Sequence, residues 1–459
     1  MAITRRQFVT RLSTLAAAMG MSQVDLAQVT QAFAHGSVWS GAWTDKPKVV
    51  WVHGAECTGC STSLLSLFED VRGTAVEGTS ISTLKALDLA VGGNGDGGNV
   101  AGTITAGALG ITKETGAGHP YGHRTLFETN GIVGSDFESA GGNGGKSAFV
   151  ANIADVLIDF IDLQYHETVM NMGGDLAYQW LNQLRLTPGS TPFVLVVEGA
   201  IQPSDGGGMW NKTGDAAWCS IGKPETGAGD HKMDEVIRDL ATDPSCKAIV
   251  PIGQCATFGG YPACVSPVVK NPVSGLKGSQ TGALGTYEYL RTQGANGIAA
   301  SNKVINVPGC PTNPWWFILT VVAWLVDFTQ PTQPLGVLNA DKSINTAAVD
   351  DQRRLKAVYG VPLHGPYCKR YVHWRNNNFA TKPGDPGCLQ LIGCKGPQTM
   401  TLCAVHGWNS QHPRNDATLD YGVGGINSGK GGNCVAGGHP CMACTEQGYP
   451  DAFLPFIVR

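Results

Sequence analysis

The stretch VVWVHGAECTGCSTSLL, Val49–Leu65, decides the fold. Val49–Val52 is a short apolar run of β-branched and aromatic residues, the composition of a strand buried on both faces. Gly54–Cys60 supplies small turn residues, and Ser61–Asp70 returns to apolar positions at helical spacing. Strand, loop and helix open a βα unit, and the loop carries a Cys-x-x-Cys pair, Cys57 and Cys60.

The same pattern recurs downstream. FVLVVEG (Phe193–Gly199), KAIVPIG (Lys247–Gly253) and KVINVPG (Lys303–Gly309) are short apolar runs ending in glycine. KMDEVIRDLATD (Lys232–Asp243) and PWWFILTVVAWLVDF (Pro314–Phe328) read as helices. Alternating buried strands and helices imply an α/β fold, an open parallel sheet covered on both faces, with functional loops at the carboxyl ends of its strands. Three of the four strand ends have cysteine just beyond them: Cys57 and Cys60, Cys255, and Cys310. Thiols distant in sequence are thus expected on one rim.

Two regions depart from the pattern. From Val91 to about Gly145, nearly one residue in three is glycine, which marks an irregular insertion. From about Leu335 strands and helices fade while glycine, proline and cysteine dominate, so this segment needs an organiser other than an apolar core. Seven of the fourteen cysteines lie there, between Cys368 and Cys444.

Composition narrows the partners. Charged residues make up 15% of the 459 and the net charge is -4, with no basic block, so nucleic acid is not expected. The N-terminus pairs Arg5 with Arg6, then Phe8 and a modest apolar run from Leu12 to Met21. That pattern suits a twin-arginine export signal, with an ordinary amphipathic helix as the other reading. No apolar run reaches the roughly 18 residues that span a bilayer, so no transmembrane anchor is expected.

The thiols are disulfides, metal ligands or a mixture. Two pairs have the Cys-x-x-Cys spacing, Cys57/Cys60 and Cys441/Cys444, which lets two sulfurs bind one metal centre. An exported chain with an even cysteine count keeps disulfides open. Against them, the cysteines sit in Gly/Pro turns at ligand spacing.

WVHGAECTGCSTSLL resembles a signature of the [NiFe] hydrogenase small subunits. YHETVM (Tyr165–Met170), VVEGAI (Val196–Ile201), GQCATFGG (Gly253–Gly260) and VPGCPTNP (Val307–Pro314) do so too. GCLQLIGCKGPQT with Cys403, then GGHPCMACTEQGYPD, complete the family pattern, which runs in order from about residue 48 to 452. The electron-transferring small subunit of respiratory complex I resembles the first domain alone. The resemblance implies a flavodoxin-like domain over 46–334, after a signal and linker over 1–45. An irregular, iron–sulfur-organised C-terminal domain follows over 335–459.

It also implies three iron–sulfur clusters. Cys57, Cys60, Cys255 and Cys310 match the ligands of a proximal [4Fe-4S] cluster, in agreement with the strand-end reading. His364, Cys368, Cys388 and Cys394 match a distal [4Fe-4S] cluster, although HGPYC separates its His and Cys by three residues where the family has two. Cys403, Cys441 and Cys444 match the medial cluster, which is [3Fe-4S] in many relatives. Cys434 stands where those relatives carry proline, so a medial [4Fe-4S] cluster is expected. Cys219, Cys246 and Cys264 fall outside the matched ligand sets, and a role for Cys264 near the proximal cluster stays open. Cys246 reads as structural, and Gly59 stands where oxygen-tolerant relatives add a thiol near the proximal cluster.

The implied activity is that of an oxidoreductase complex. H2 is cleaved in a large subunit, and this chain passes electrons to an external carrier such as a c-type cytochrome or a membrane-bound partner. The expected location is the periplasm or the outer face of the cytoplasmic membrane. No catalytic acid, base or nucleophile is expected in this chain. His166, Glu167 and Glu198 read as interface or core groups, and the Trp315-Trp316 helix as core. The rival readings are an exported structural protein held by disulfides and zinc, and an iron–sulfur subunit of a different oxidoreductase.

Overall fold

The computed structural model describes residues 48–65, 161–186, 192–204, 217–222, 230–264, 281–329, 336–365, 368, 370–403, 408 and 433–458. The export signal and linker (1–45) and the glycine-rich insertion (about 91–145) lie outside the described residues.

A four-stranded parallel sheet, ordered β2-β1-β3-β4, forms the first region. β1 (Lys48–His53) pairs in parallel with β2 (Asp162–His166) on one side and with β3 (Phe193–Glu198) on the other. β4 (Cys246–Ile252) lies beyond β3. The expected strand over Lys303–Gly309 is reduced to parallel bridges at Ile249↔Val304 and Ile252↔Val307. Asn306 and Pro308 interrupt that run, and proline has no N–H for a ladder. The bridges extend the order to that of flavodoxin-like sheets, whose switch point falls between β1 and β3.

Successive side chains of a strand face opposite ways, and both faces here are buried. Val49, Trp51, Val194, Val196 and Val250 pack with α1 (Gly59–Leu65) and the apolar helix α7 (Pro314–Thr329). Val50, Val52, Leu195, Val197 and Ile249 pack against α2 (Gly174–Leu186) and α3 (Met233–Thr242). In α3 the buried residues Met233, Val236, Ile237, Leu240 and Ala241 form one apolar stripe, and Asp234 and Glu235 complement the dipole of its first turn. α4 (Gly253–Phe258), α5 (Thr286–Thr292) and α6 (Gly294–Ser301) complete the region.

Residues 336–458 are built differently. Among the described residues the α-helices with both ends described, Lys356–Tyr359 and Tyr371–Arg375, are about one turn long, and there are three 3-10 turns. The region's own apolar cluster is small: Leu363, Ala380, Leu389, Ile392, Val435 and Cys441. Buried arginines tie it together. Arg354 donates to Asp350 Oδ2 (2.7 Å), Thr445 O (2.8 Å) and Glu446 Oε1 (2.9 Å). Gln254 of α4 donates to Glu446 O (2.8 Å), joining the sheet region to the C-terminal one. Among the described residues, no helix is long and apolar enough to cross a membrane.

Candidate metal centres

The cysteines after β1, after β4 and after Val307 meet at the carboxyl rim of the sheet. Cys255 and Cys310 lie close enough to Cys60 to raise its pKa, and Cys57 acts likewise on Cys255 and Cys310. Burial is the larger cause, and it pushes Cys255 up to about 12 and Cys310 to about 11. Such thiols stay protonated unless a metal takes the proton's place.

Glycine makes room for these sulfurs. A Cβ on Gly253 would collide with Cys60 Sγ, and one on Gly260 would stand 2.8 Å from Cys255 Sγ. Both residues also hold positive φ, +87° and +51°, a region that favours glycine.

Glu198, at the end of β3, fixes the Cys-x-x-Cys helix from behind. Its Oε1 accepts from the amides of Cys60 and Ser61 (both 3.0 Å), and its Oε2 accepts from Trp51 Nε1 (3.1 Å) and Ser61 Oγ (2.5 Å). Thr168 N–H donates to His166 Nδ1, so the ring proton stays on Nε2 and donates to Ser61 Oγ (3.2 Å). Burial, then the nearby His53, lowers His166 to about 3 and keeps it neutral. Burial also pulls His53 down, but its hydrogen bond to Glu56 and the charges of Glu198, Glu167 and Glu56 outweigh this and leave it raised.

A second group of thiols forms in the C-terminal region. Cys434 raises the pKa of Cys403, Cys441 feels Cys403, and Cys444 feels both Cys434 and Cys403. Burial, the largest cause, lifts Cys403 to about 12. Cys434 is therefore gathered with the other three. This group borders the first, because Cys444 lies within electrostatic range of Cys310.

The third group lines one small enclosed cavity containing His364, Cys368, Cys388 and Cys394. The rings of Tyr371 and Trp374 meet His364 edge-on at 5.2 and 4.8 Å. His364 Nε2 is buried without a hydrogen-bond partner, and burial lowers the ring's pKa, as a neutral imidazole ligand requires. The extra residue in HGPYC thus leaves His364 and Cys368 on the same cavity. The second and third groups touch where Cys441 N–H donates to Cys394 Sγ (3.3 Å).

All fourteen cysteines are free thiols. Among the described residues no three His, Cys, Asp or Glu side chains converge tightly enough to hold a single metal ion.

Comparison with known proteins bears on what such groups hold. Residues 144–324 match the family of the NADH ubiquinone oxidoreductase 20 Kd subunit, and residues 359–418 match the family of the C-terminal part of NiFe/NiFeSe hydrogenase small subunits. The periplasmic [NiFeSe] hydrogenase small subunit of Desulfomicrobium baculatum is 26% identical over 464 residues, covering 100% of this chain and 99% of that one. The periplasmic [NiFe] hydrogenase small subunit 1 of Nitratidesulfovibrio vulgaris is 24% identical, covering 99% and 93%. The crystal structure of the Ni-Fe-Se hydrogenase from Desulfomicrobium baculatum aligns at a TM-score of 0.53 with 25% identity, over 90% of this chain and 99% of that one. Over nearly its whole length the chain is similar to hydrogenase small subunits.

The structure decides between open readings for several residues of this chain. Glu198 and His166 are each 2% exposed, so they belong to the interior behind Cys60 rather than to a surface. Trp316 is likewise in the core. Cys246 is buried and bonds Ala248 O, as a structural thiol does, while Cys219 and Cys264 bond backbone carbonyls at 4.0 and 3.7 Å. The roles of His53 and Ser61 went unread. A histidine closing an apolar strand and a serine directly after Cys60 were the available signals.

Proposed function

We propose that this small subunit pairs with a nickel–iron large subunit and relays electrons from the H2-cleaving site through three iron–sulfur clusters to an external carrier. One observation carries the reading: the three groups of ligand-type residues are contiguous, joined at Cys310/Cys444 and at Cys441/Cys394. The donor chemistry fits clusters. Buried thiols packed under glycines, and an imidazole nitrogen left without a partner in a thiol-lined cavity, are the donors a cluster would use.

On this reading Cys57, Cys60, Cys255 and Cys310 hold the proximal [4Fe-4S] cluster. Cys403, Cys434, Cys441 and Cys444 hold a medial [4Fe-4S] cluster, and His364, Cys368, Cys388 and Cys394 hold the distal one. When bound, the clusters supply one-electron carriage, with potentials set by ligand type, charge and hydrogen bonds to sulfur. The chain's own residues do the rest. Glu198 holds the Cys57–Cys60 turn, Gly253 and Gly260 admit sulfur, and the Cys441 amide donates to a distal sulfur. The relatives named periplasmic and the Arg5-Arg6 pair support export by the twin-arginine route.

The test is purification of the native complex. It should carry nickel in a co-purifying large chain, about a dozen iron atoms on this chain, and cluster signals that appear on exposure to H2. A colourless protein with disulfides would exclude the reading. Iron without nickel would point to a different oxidoreductase.

A further inference from the structure

The distal cavity contains a group that the electron-relay reading does not use. Arg370 lines it beside His364, Cys368, Cys388 and Cys394, and is 2% exposed. Three backbone carbonyls fix its guanidinium: Nε donates to Val435 O (2.9 Å), and Nη1 donates to Asp385 O (2.6 Å) and Gly387 O (2.5 Å). Nη2 is buried and has no partner. The neighbouring Asp385 directs its own carboxylate to the amides of Thr381 and Lys382 and to the Thr381 hydroxyl.

Asp385 is near in charge but makes no ion pair with the guanidinium, and a charge buried without a direct partner is costly, as is a buried N–H donor left unmade. One occupant of the cavity relieves both. A cluster held by thiolates is anionic, and its sulfurs accept hydrogen bonds. The three thiols already lie within electrostatic range of Arg370. The rim at Cys60 is the reverse case, since the charged neighbour there is the Glu198 carboxylate.

We infer that Arg370 donates a hydrogen bond from Nη2 to a sulfur of the distal centre and raises that centre's reduction potential, making the outer end of the relay the favoured resting place for an electron. The inference rests on the three-cluster reading above. Adding an electron to the cluster adds one negative charge beside a fixed positive one, so the reduced form gains more than the oxidised form. Arg370 is a positioning and tuning residue, with no ligand role.

The experiment uses the intact two-chain complex, with potentiometric titration followed by electron paramagnetic resonance. In Arg370→Met the distal midpoint should move to more negative potential while the other two stay in place. Arg370→Lys, which keeps the charge, should recover part of the shift. Wild-type complex labelled with [15N]arginine should show 15N coupling on the distal signal in pulsed measurements. A loaded Arg370→Met complex with an unmoved distal midpoint overturns the inference, as does an equal shift of all three centres. If Arg370→Met fails to assemble, the wild-type 15N measurement decides, and absence of coupling on the distal signal overturns the inference. A wild-type complex that has no third cluster removes the relay reading as well, which separates the two failures.

Discussion

The sheet region and the C-terminal region bury similar sets of thiols by opposite means. At the sheet rim, β1, β4 and the Val307 segment deliver their cysteines from a framework with two apolar cores, one on each face. Residues 337–359 still add Val337, Leu338, Ile344, Val349, Leu355, Val358 and Tyr359 to the first of those cores. Among the described residues from Leu363 onward, however, the separate apolar cluster has six residues and the one α-helix with both ends described is a single turn. The first region has its burial without any ligand, because each fully buried Val or Leu contributes roughly 1.5–3 kcal/mol. The second has too little apolar area to order that much chain, so its order depends on what its thiols hold.

Removal of iron from the complex under anaerobic, reducing conditions should therefore have the largest effect. Segments between Cys368 and Cys444 should become open to protease, while peptides from β1, β3 and β4 stay protected. Limited proteolysis read by mass spectrometry follows both at once. Equal loss of the two regions would break the comparison, since it would make the sheet equally dependent on its metal.

A strut inside the C-terminal region comes next. Arg354 and Glu446 are 2% and 4% exposed, and Glu446 Oε1 also accepts from Met400 N–H. Arg354→Met leaves Glu446 charged, buried and short of its main partner, a loss of about 3–5 kcal/mol. The apparent thermal midpoint of the complex should fall accordingly, and adding Glu446→Gln should restore part of it. A drop below about 1 kcal/mol, the range of a surface pair, would show that the C-terminal region holds together without it.

Glu198→Gln tests the opposite half. The amide would turn its NH2 toward donors that now face a carboxylate, either the Cys60 and Ser61 amides or Trp51 Nε1. Losing charged hydrogen bonds of this kind costs about 1.5–3 kcal/mol each, less whatever the amide oxygen retains. The proximal signal should change in shape or potential while the distal signal does not. An unchanged proximal signal would mean that the strand and helix position Cys60 without the carboxylate.

These residues also show where the sequence is readable. The strand ends were legible because apolar run and glycine are local signals, and each cysteine followed within a few residues. β2 was not, because DLQYH is a half-exposed edge with no clear alternation. Arg354 and Arg370 sit in DQRRLK and CKRYV, which look like solvated surface until the partners arrive. Glu446 lies 92 residues from Arg354, and Val435 lies 65 from Arg370. Glu198 was noticed, but its donors are 137 to 147 residues away, so its burial could not be read. Among the C-terminal thiols, spacing separated only Cys441/Cys444 as a pair. The rest of the grouping came from family pattern, because these thiols do not follow the repeated apolar-run-and-glycine signal.

The smallest expected effect is at Cys434, and it sharpens the contrast between regions built by framework and by ligand. Cys434 lies with Cys403 and Cys444, and its carbonyl accepts from His439 N–H (2.8 Å), a bond that any side chain at 434 preserves. Cys434→Ala therefore removes one sulfur and little else. If the three remaining thiols suffice, the complex assembles with its thermal midpoint nearly unmoved, and a [3Fe-4S] signal appears that the unoxidised wild-type protein does not show. The medial midpoint should move with cluster type, since type is one of the terms that set potential. A [3Fe-4S] signal already present in intact wild type would assign Cys434 to packing. A variant that loses the medial cluster altogether would instead show that all four thiols are needed to order residues 433–444, the strongest form of dependence on ligand.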